Sequence, residues 1–119
     1  MSLKYFKDEE FRCHCGCGAG IEMMQEDFLK MLEDTRELVG IPFILNSAYR
    51  CPAHNKAIGS KSDNHPSGQA VDIKCLYSVT RYNIVTSALK VGFKRIGLHR
   101  KFIHLDNRVV IPVASIWFY

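Results

Sequence analysis

The chain has 119 residues, of which 47% are hydrophobic and 24% are charged, and its formal net charge is +4. This length leaves room for one hydrophobic core, so we expect a single domain over residues 1–119. The sequence lacks both the basic blocks typical of nucleic-acid binding and the run of about 18 apolar residues needed to span a membrane. It therefore argues against a nucleic-acid partner and against a membrane span.

The first half of the chain predicts one long helix and one strand. Residues 22–39 repeat apolar or small side chains at helical spacing, and these are Met24, Phe28, Met31, Leu32, Thr35, Leu38 and Val39. Gly40 ends this helix and Pro42 prevents its continuation. The apolar run 43–47 then predicts a strand, and residues 52–58 predict a short helix.

The second half predicts further strands around one more helix. The polar segment 59–68 predicts a long loop, and the alternating run 70–75 predicts a strand. Ser78 is a candidate N-cap of a helix that reaches Lys90 and ends at Gly92, with four residues facing inward, Ile84, Val85, Ala88 and Leu89. Residues 94–98 and 101–106 predict a hairpin. Residues 109–113 predict an edge strand, because Pro112 cannot donate to a ladder. The expected class is α+β, a small antiparallel sheet flanked by helices.

Two short stretches offer the ligands of a metal site. Residues 65–72 read His-Pro-Ser-Gly-Gln-Ala-Val-Asp, and residues 102–106 read Phe-Ile-His-Leu-Asp. They supply His65, Asp72 and His104, with Asp106 two residues farther on. Two imidazoles and one carboxylate are the donor set of an open catalytic zinc site, in which water takes the remaining position. Zinc in such a site lowers the pKa of that water to about 7 and polarises a carbonyl.

The predicted local structure supports a shared site. His65 lies in the turn-rich loop, and the small residues Gly68 and Ala70 would let this loop fold back closely. Side chains at positions i and i+2 of a strand share a face, so His104 and Asp106 should point the same way. Each residue alone is more often a surface or edge residue, and their combined spacing is what favours metal binding.

The pattern resembles the zinc D-alanyl-D-alanine carboxypeptidases and peptidoglycan endopeptidases that share the hedgehog-like fold. Their motifs are Ser-x-x-Arg, then Ser-x-His-x-x-Gly-x-Ala-x-Asp, then a late His in a strand, often His-x-Asp. This chain has Ser-Ala-Tyr-Arg at 47–50, the second motif at 63–72 with Asp63 in place of Ser, and His-Leu-Asp at 104–106. The likeness runs from about residue 11 to residue 119 and implies a hedgehog-like fold with Zn²⁺ held by His65, Asp72 and His104.

The resemblance also implies an activity and further site residues. We expect a zinc metallopeptidase that cleaves peptidoglycan stem peptides, either as a D-Ala-D-Ala carboxypeptidase or as an endopeptidase. Arg50 is expected to hold a substrate carboxylate or orient its carbonyl beside the zinc, with a purely structural arginine as the alternative. Ser47 is expected to take part in substrate binding or to fix the loop with its hydroxyl. Many members carry an acidic general base three residues before the late His, where this chain has Lys101. Asp106 is then the best candidate for the base, and a partner that orients His104 is its alternative role.

Two other functions stay open. Lys101 keeps open a zinc-containing cell-wall-binding module with weak or no catalysis, and a cytoplasmic dipeptide hydrolase is the third candidate. Residues 1–7 lack the apolar core of a signal peptide. Together with the small size, this resembles a lysis enzyme of the phage endolysin type, which would stay cytoplasmic until it is released to the cell wall. We also expect the protein to be a monomer.

The chain also contains five cysteines. Cys13, Cys15 and Cys17 alternate with other residues, whereas zinc knuckles usually have Cys-x-x-Cys spacing. Cys51 and Cys75 are isolated. The spacing thus disfavours a second metal site without excluding it. Free thiols are the simplest interpretation, and the sequence leaves the role of these cysteines open.

Overall fold

The computed structural model describes residues 2–109 and 113–119. The helices are α1 (Glu26–Val39), α2 (Pro52–Ala57) and α3 (Ser78–Val91), and short 3₁₀ turns at Asp8–Phe11 and Ile21–Met23 precede α1. The strands are β1 (Leu45–Ser47), β2 (Ala70–Lys74), β3 (Arg95–Leu98), β4 (Phe102–Asp106) and β5 (Ser115–Phe118). The predicted α+β class is confirmed.

The strands form one sheet in the order β1-β2-β4-β3-β5. The neighbours β1/β2, β2/β4 and β4/β3 are antiparallel, whereas β3/β5 is parallel. The predicted sheet and its β3–β4 hairpin are therefore confirmed, apart from the parallel outer pair. The edge strand expected over 109–113 is wrong at Val109 and Val113, which lie outside any strand, and residues 110–112 fall outside the described residues. Pairing starts later, where the Ser115 amide donates to the Lys94 carbonyl at 2.8 Å.

The hydrophobic core lies between one face of the sheet and the helices α1 and α3. Alternate residues of β2, β4 and β3 are fully buried there, namely Val71, Ile73, Ile103, Leu105 and Ile96. Helix α1 contributes Phe28 and Leu32 to the same cluster, and α3 contributes Ile84 and Ala88. Successive side chains of a strand point to opposite faces, so Asp72 and His104 point away from this core.

The ends of two helices differ from the sequence prediction. Helix α1 begins at Glu26 rather than Glu22, because Gln25 is extended and its amide donates to the Gly68 carbonyl at 2.9 Å. Tyr77 rather than Ser78 is the N-cap of α3, and its side chain makes no capping hydrogen bond. Two residues predicted to face inward are exposed, Leu38 and Leu89. Gly40 ends α1 in the left-handed conformation, as predicted.

Gly68 fixes the end of the loop that carries His65. Its φ is +72°, a conformation that glycine adopts without steric cost. A Cβ atom at this position would lie 2.0 Å from the carbonyl oxygen of Met23, which belongs to the backbone and cannot rotate away. The loop therefore needs glycine here both for its turn and for its close approach to the segment before α1.

Gly68→Ala should destabilise the fold through both effects, and Gly59→Ala is its matched control. Gly59 has a similar φ of +79°, but open space surrounds its Cβ position. Because overpacking typically costs about 1–3 kcal/mol, Gly68→Ala should lower the free energy of unfolding by about that much more than Gly59→Ala. Urea denaturation of both variants measures the difference. Equal losses in the free energy of unfolding would show that the close approach to the Met23 carbonyl adds nothing to the cost of the substitution.

Candidate metal centre

Three predicted ligands meet on the sheet face opposite helices α1 and α3. Asp72 and His104 lie directly across from one another in the β2–β4 ladder. His104 Nδ1 is 2.9 Å from one carboxylate oxygen of Asp72, and His65 Nε2 is 3.3 Å from the other. One ligand atom from each residue lies within 4.8 Å of the other two. The structure thus brings together His65, Asp72 and His104.

His65 is held by the backbone beyond β1. Its Nδ1 donates to the Ala48 carbonyl at 2.7 Å, and the side chain is 7% exposed. A hydrogen bond to a carbonyl places the proton on Nδ1 and leaves the lone pair on Nε2, the nitrogen nearest Asp72. The imidazole is therefore in the tautomer that a metal ligand needs.

The opposite nitrogen of His104 contacts Asp106. Nε2 of His104 lies 2.7 Å from the Asp106 carboxylate, which is fully buried. Asp106 also accepts hydrogen bonds from Arg95 Nε at 2.7 Å and from the Arg108 amide at 3.2 Å. A carboxylate behind a histidine fixes the ring and directs the other nitrogen outward, as in carboxylate–histidine–metal arrangements. The expectation that Asp106 and His104 share a face is met by this contact.

Arg108 connects the site to the loop before His65. Its Nη1 donates to the side chains of Asp63 and Asn64 at 3.0 and 3.1 Å. The Arg108 hydrogen bond lowers the pKa of Asp63, which replaces the usual Ser of the motif. This replacement thus supplies an ion pair that fastens the loop to the end of β4.

The buried charges shift one another's pKa values. Burial disfavours ionisation of Asp72, but hydrogen bonds from His104 and His65 outweigh it and lower the pKa of Asp72 well below its usual range. Burial also opposes charge on His104, yet its bonds to Asp106 and Asp72 raise the pKa of that imidazole. Burial of Asp106 is outweighed by His104 and then Arg95, so the pKa of Asp106 is lowered. Both carboxylates therefore stay ionised, as a cation site requires.

Arg50 and Ser47 form one side of the site. Ser47 lies opposite Asp72 in the β1–β2 ladder, and its Oγ accepts a hydrogen bond from Arg50 Nη2 at 3.1 Å. Arg50 Nη1 donates to Asn55 Oδ1 of α2 at 2.9 Å. Arg50 is thus held beside Ser47, the residue opposite Asp72, and Asn55 is an additional support.

Two aromatic residues form the other side. Gly97 separates His104 of β4 from Trp117 of β5 in the same row of the sheet. A Cβ atom on Gly97 would lie 2.7 Å from the Trp117 indole and 2.8 Å from the Tyr119 ring. The Trp117 and His104 ring centroids are 5.5 Å apart. The missing side chain at Gly97 thus allows these aromatic rings to lie over the sheet beside His104.

Sequence reasoning missed Arg95, Arg108 and the aromatic side of this site. Arg95 could have been found from the register of the predicted hairpin, because it pairs directly with Asp106. Arg108 lies two residues after Asp106 but gave no pattern of its own. Trp117 and Tyr119 depend on the parallel β3–β5 pairing, which had no local signal. Lys101 is exposed in the turn before β4.

The donor set fits a borderline-soft ion such as Zn²⁺, which imidazole nitrogen and carboxylate oxygen bind well. A model of the protein family described as Peptidase M15 matches residues 4–106, a span that contains every residue of the site named so far except Arg108, Trp117 and Tyr119. A comparison with curated proteins found no match.

Within the part of the chain that the structure describes, no helix has the length and apolar character to cross a membrane.

His65→Ala and His104→Ala should each remove one equivalent of bound zinc per chain, because two remaining ligands hold the ion poorly. Elemental analysis after purification with added zinc measures the loss. His99→Ala is the control, since His99 stacks on Phe102 and is not among the ligands. Circular dichroism should show that the variants remain folded. Zinc contents equal to the unmodified protein in both ligand variants would contradict this site.

Proposed function

The chain belongs to the peptidase M15 family, and we propose that it is a zinc metallopeptidase that cleaves peptidoglycan stem peptides, as a D-Ala-D-Ala carboxypeptidase or an endopeptidase. The convergence of His65, Asp72 and His104 is the observation that carries this proposal. Bound there, zinc would polarise a scissile carbonyl and activate a water molecule. Two neutral imidazoles and one carboxylate would leave the ion a net positive charge, which this chemistry needs.

The Arg50 side of the site suits an anionic substrate. A guanidinium has five N–H donors, and the bonds to Ser47 and Asn55 occupy one on each terminal nitrogen. The remaining donors can bind a carboxylate, for which the planar fork of arginine is well shaped. Stem peptides carry carboxylates, including the terminal one of D-Ala-D-Ala. We propose that Arg50 binds and orients such a group and that Ser47 holds Arg50 in place.

The Trp117 side suits the apolar parts of the same substrate. The indole faces His104 and is also contacted by the Arg95 guanidinium, 5.0 Å from the ring centroid. The Tyr119 ring lies 6.4 Å from the indole. These rings present an apolar surface next to the metal ligands, opposite Arg50. A peptide with a terminal carboxylate and small methyl side chains would contact both sides at once.

For Asp106, the geometry supports the orienting role rather than the general base. Its carboxylate is fully buried and already accepts bonds from His104, Arg95 and the Arg108 amide. It also contacts the His104 nitrogen that is turned away from Asp72. A general base must reach the water that reacts, which is difficult from behind a ligand. We therefore propose that Asp106 positions His104 and raises its basicity.

A second candidate function is a cell-wall-binding module that keeps its zinc but has little catalysis. Two observations favour it. Lys101 is exposed in the turn before β4, where many related enzymes have an acid, and Asp106 is enclosed by hydrogen-bond donors. A dipeptide hydrolase is a third candidate, which the same experiment distinguishes.

The zinc-loaded protein should release peptides from purified peptidoglycan or cleave D-Ala-D-Ala peptides, and chelators should stop both reactions. Mass spectrometry of the products identifies the bond. Cleavage of free dipeptides alone would favour the dipeptide hydrolase. Intact substrates together with cosedimentation of the protein with cell wall would favour the binding module and contradict the peptidase.

The same assay with Arg50→Ala separates substrate binding from structure. This variant should lose substrate turnover while its zinc content stays unchanged, because the hydrogen bonds of Arg50 go to Ser47 and Asn55 rather than to His65, Asp72 or His104. Asp34→Asn, in the Lys30–Asp34 ion pair at the surface of α1, is the control and should behave as the unmodified protein. Loss of zinc from Arg50→Ala would instead assign Arg50 a structural role.

Asp106→Asn should weaken zinc binding, because the amide cannot replace the charge behind His104. Loss of such an outer partner typically costs about 10–100-fold in metal affinity or activity. Competition with a chromophoric chelator measures the affinity, and turnover is measured at saturating zinc. A loss of about 10²–10⁴-fold in rate with unchanged zinc affinity would instead identify Asp106 as the general base.

A further inference from the structure

A second cluster of side chains that can bind a metal consists of cysteines and is separate from the catalytic group, which is His65, Asp72 and His104. The sulfur atoms of Cys13, Cys15, Cys17 and Cys51 all lie within 4.8 Å of one another. The Cys13–Cys15 distance is 3.4 Å and the Cys15–Cys51 distance is 3.6 Å. Cys51, which is distant in sequence, thus lies beside the three alternating cysteines. We propose that these four cysteines form a second metal site, which binds zinc through four thiolates.

The arrangement of the sulfur atoms fits tetrahedral coordination. Zn–S bonds of about 2.3 Å in a tetrahedron place neighbouring sulfur atoms about 3.8 Å apart, close to the two distances above. All four cysteines are free thiols in the structure. Cys13 is buried, Cys15 and Cys17 are exposed, and Cys51 is half-buried. The group therefore lies at the surface, where an ion can reach it.

The backbone explains how Cys-x-Cys-x-Cys spacing can surround one ion. Gly16 and Gly18 adopt positive φ values of 82° and 86°. These left-handed residues turn the chain after each of Cys15 and Cys17. The Cys13 amide donates to the Ala19 carbonyl at 2.9 Å and closes the loop. The turns at the two glycines thus allow closely spaced cysteines to approach one ion, as the longer Cys-x-x-Cys spacing does in a zinc knuckle.

Backbone donors already point at two of the sulfur atoms. The Cys51 amide lies 3.3 Å from the Cys13 sulfur, and the His54 amide lies 3.4 Å from the Cys51 sulfur. Such bonds stabilise thiolate charge and orient ligands in metal sites. Metal binding would convert the four thiols to thiolates and release their protons to solvent. Four protein thiolates leave no open position, so this site would be structural rather than catalytic.

The site would connect the N-terminal loop to the Arg50 side of the catalytic group. Cys51 directly follows Arg50 and is the N-cap of α2, which carries Asn55. His14, which lies between Cys13 and Cys15 in the sequence, shares the wall of a cavity of about 170 Å³ with Ser47 and Arg50. An ion bound to the cysteines would therefore hold the segment around Arg50 against the loop 13–19. This inference does not depend on the proposed peptidase activity.

The test compares metal content under reducing conditions after purification with added zinc. The unmodified protein should contain one equivalent more than Cys15→Ser and Cys17→Ser, whose exposed positions make misfolding a minor concern. Cys75→Ala, at the fifth cysteine, is the control and should keep the full content. With Co²⁺ in place of zinc, the unmodified protein and His104→Ala should both show a sulfur-to-cobalt charge-transfer band. The two serine variants should lose it.

Three results would overturn the proposal. Equal zinc contents in the unmodified protein and both serine variants would show that the cysteines bind no ion. An intact mass lower by two hydrogens per bridge, in protein purified without reductant and resistant to mild reduction, would identify structural disulfides instead. Iron in place of zinc after purification would contradict the assignment of the metal. Because His104→Ala should keep the cobalt signal, failure of the catalytic site cannot be mistaken for failure of this one.

Discussion

The direct pairing of Asp72 with His104 across the β2–β4 ladder is the constraint on which the rest of the site depends. Their neighbours Val71, Ile73 and Leu105 fill the core on the opposite face. A slip of one residue would bury the ligands under the helices and expose the apolar residues, so the core itself enforces the register. The hydrophobic effect, acting on residues that touch no ligand, thus determines where the catalytic ion would lie.

The same register organises the buried charges. Asp106 pairs with Arg95 in the next ladder, and the hydrogen bond at 2.7 Å compensates a carboxylate with no exposed surface. A buried charge without such a partner would cost several kcal/mol. Arg108 then links this pair to the loop of His65. One connected set of ion pairs and hydrogen bonds therefore orients His104 from behind and holds the His65 loop from the side.

The features of the fold and site that could be predicted are those that leave a pattern within one short stretch of the sequence. The strand carrying His104 and Asp106, the loop carrying His65 and the hairpin all have local patterns, and they were predicted close to their observed bounds. The late start of α1 was not, because it results from the contact of Gln25 with Gly68. The parallel strand β5 and the grouping of Cys51 with the N-terminal cysteines depend on contacts between distant segments. No periodicity or spacing in one stretch of chain reports such contacts.

The separation of the ligands along the chain has a thermodynamic consequence. Helix α3 lies between Asp72 and His104, so an unfolded chain does not hold these ligands together. An ion that binds only the folded chain stabilises it by mass action, by about 2.7 kcal/mol when its free concentration is 100 times the dissociation constant. For a domain of this size that is a considerable fraction of the total stability. The persistence of the fold would then track the free zinc of its surroundings, and chelation would act on the protein's lifetime as well as on its chemistry.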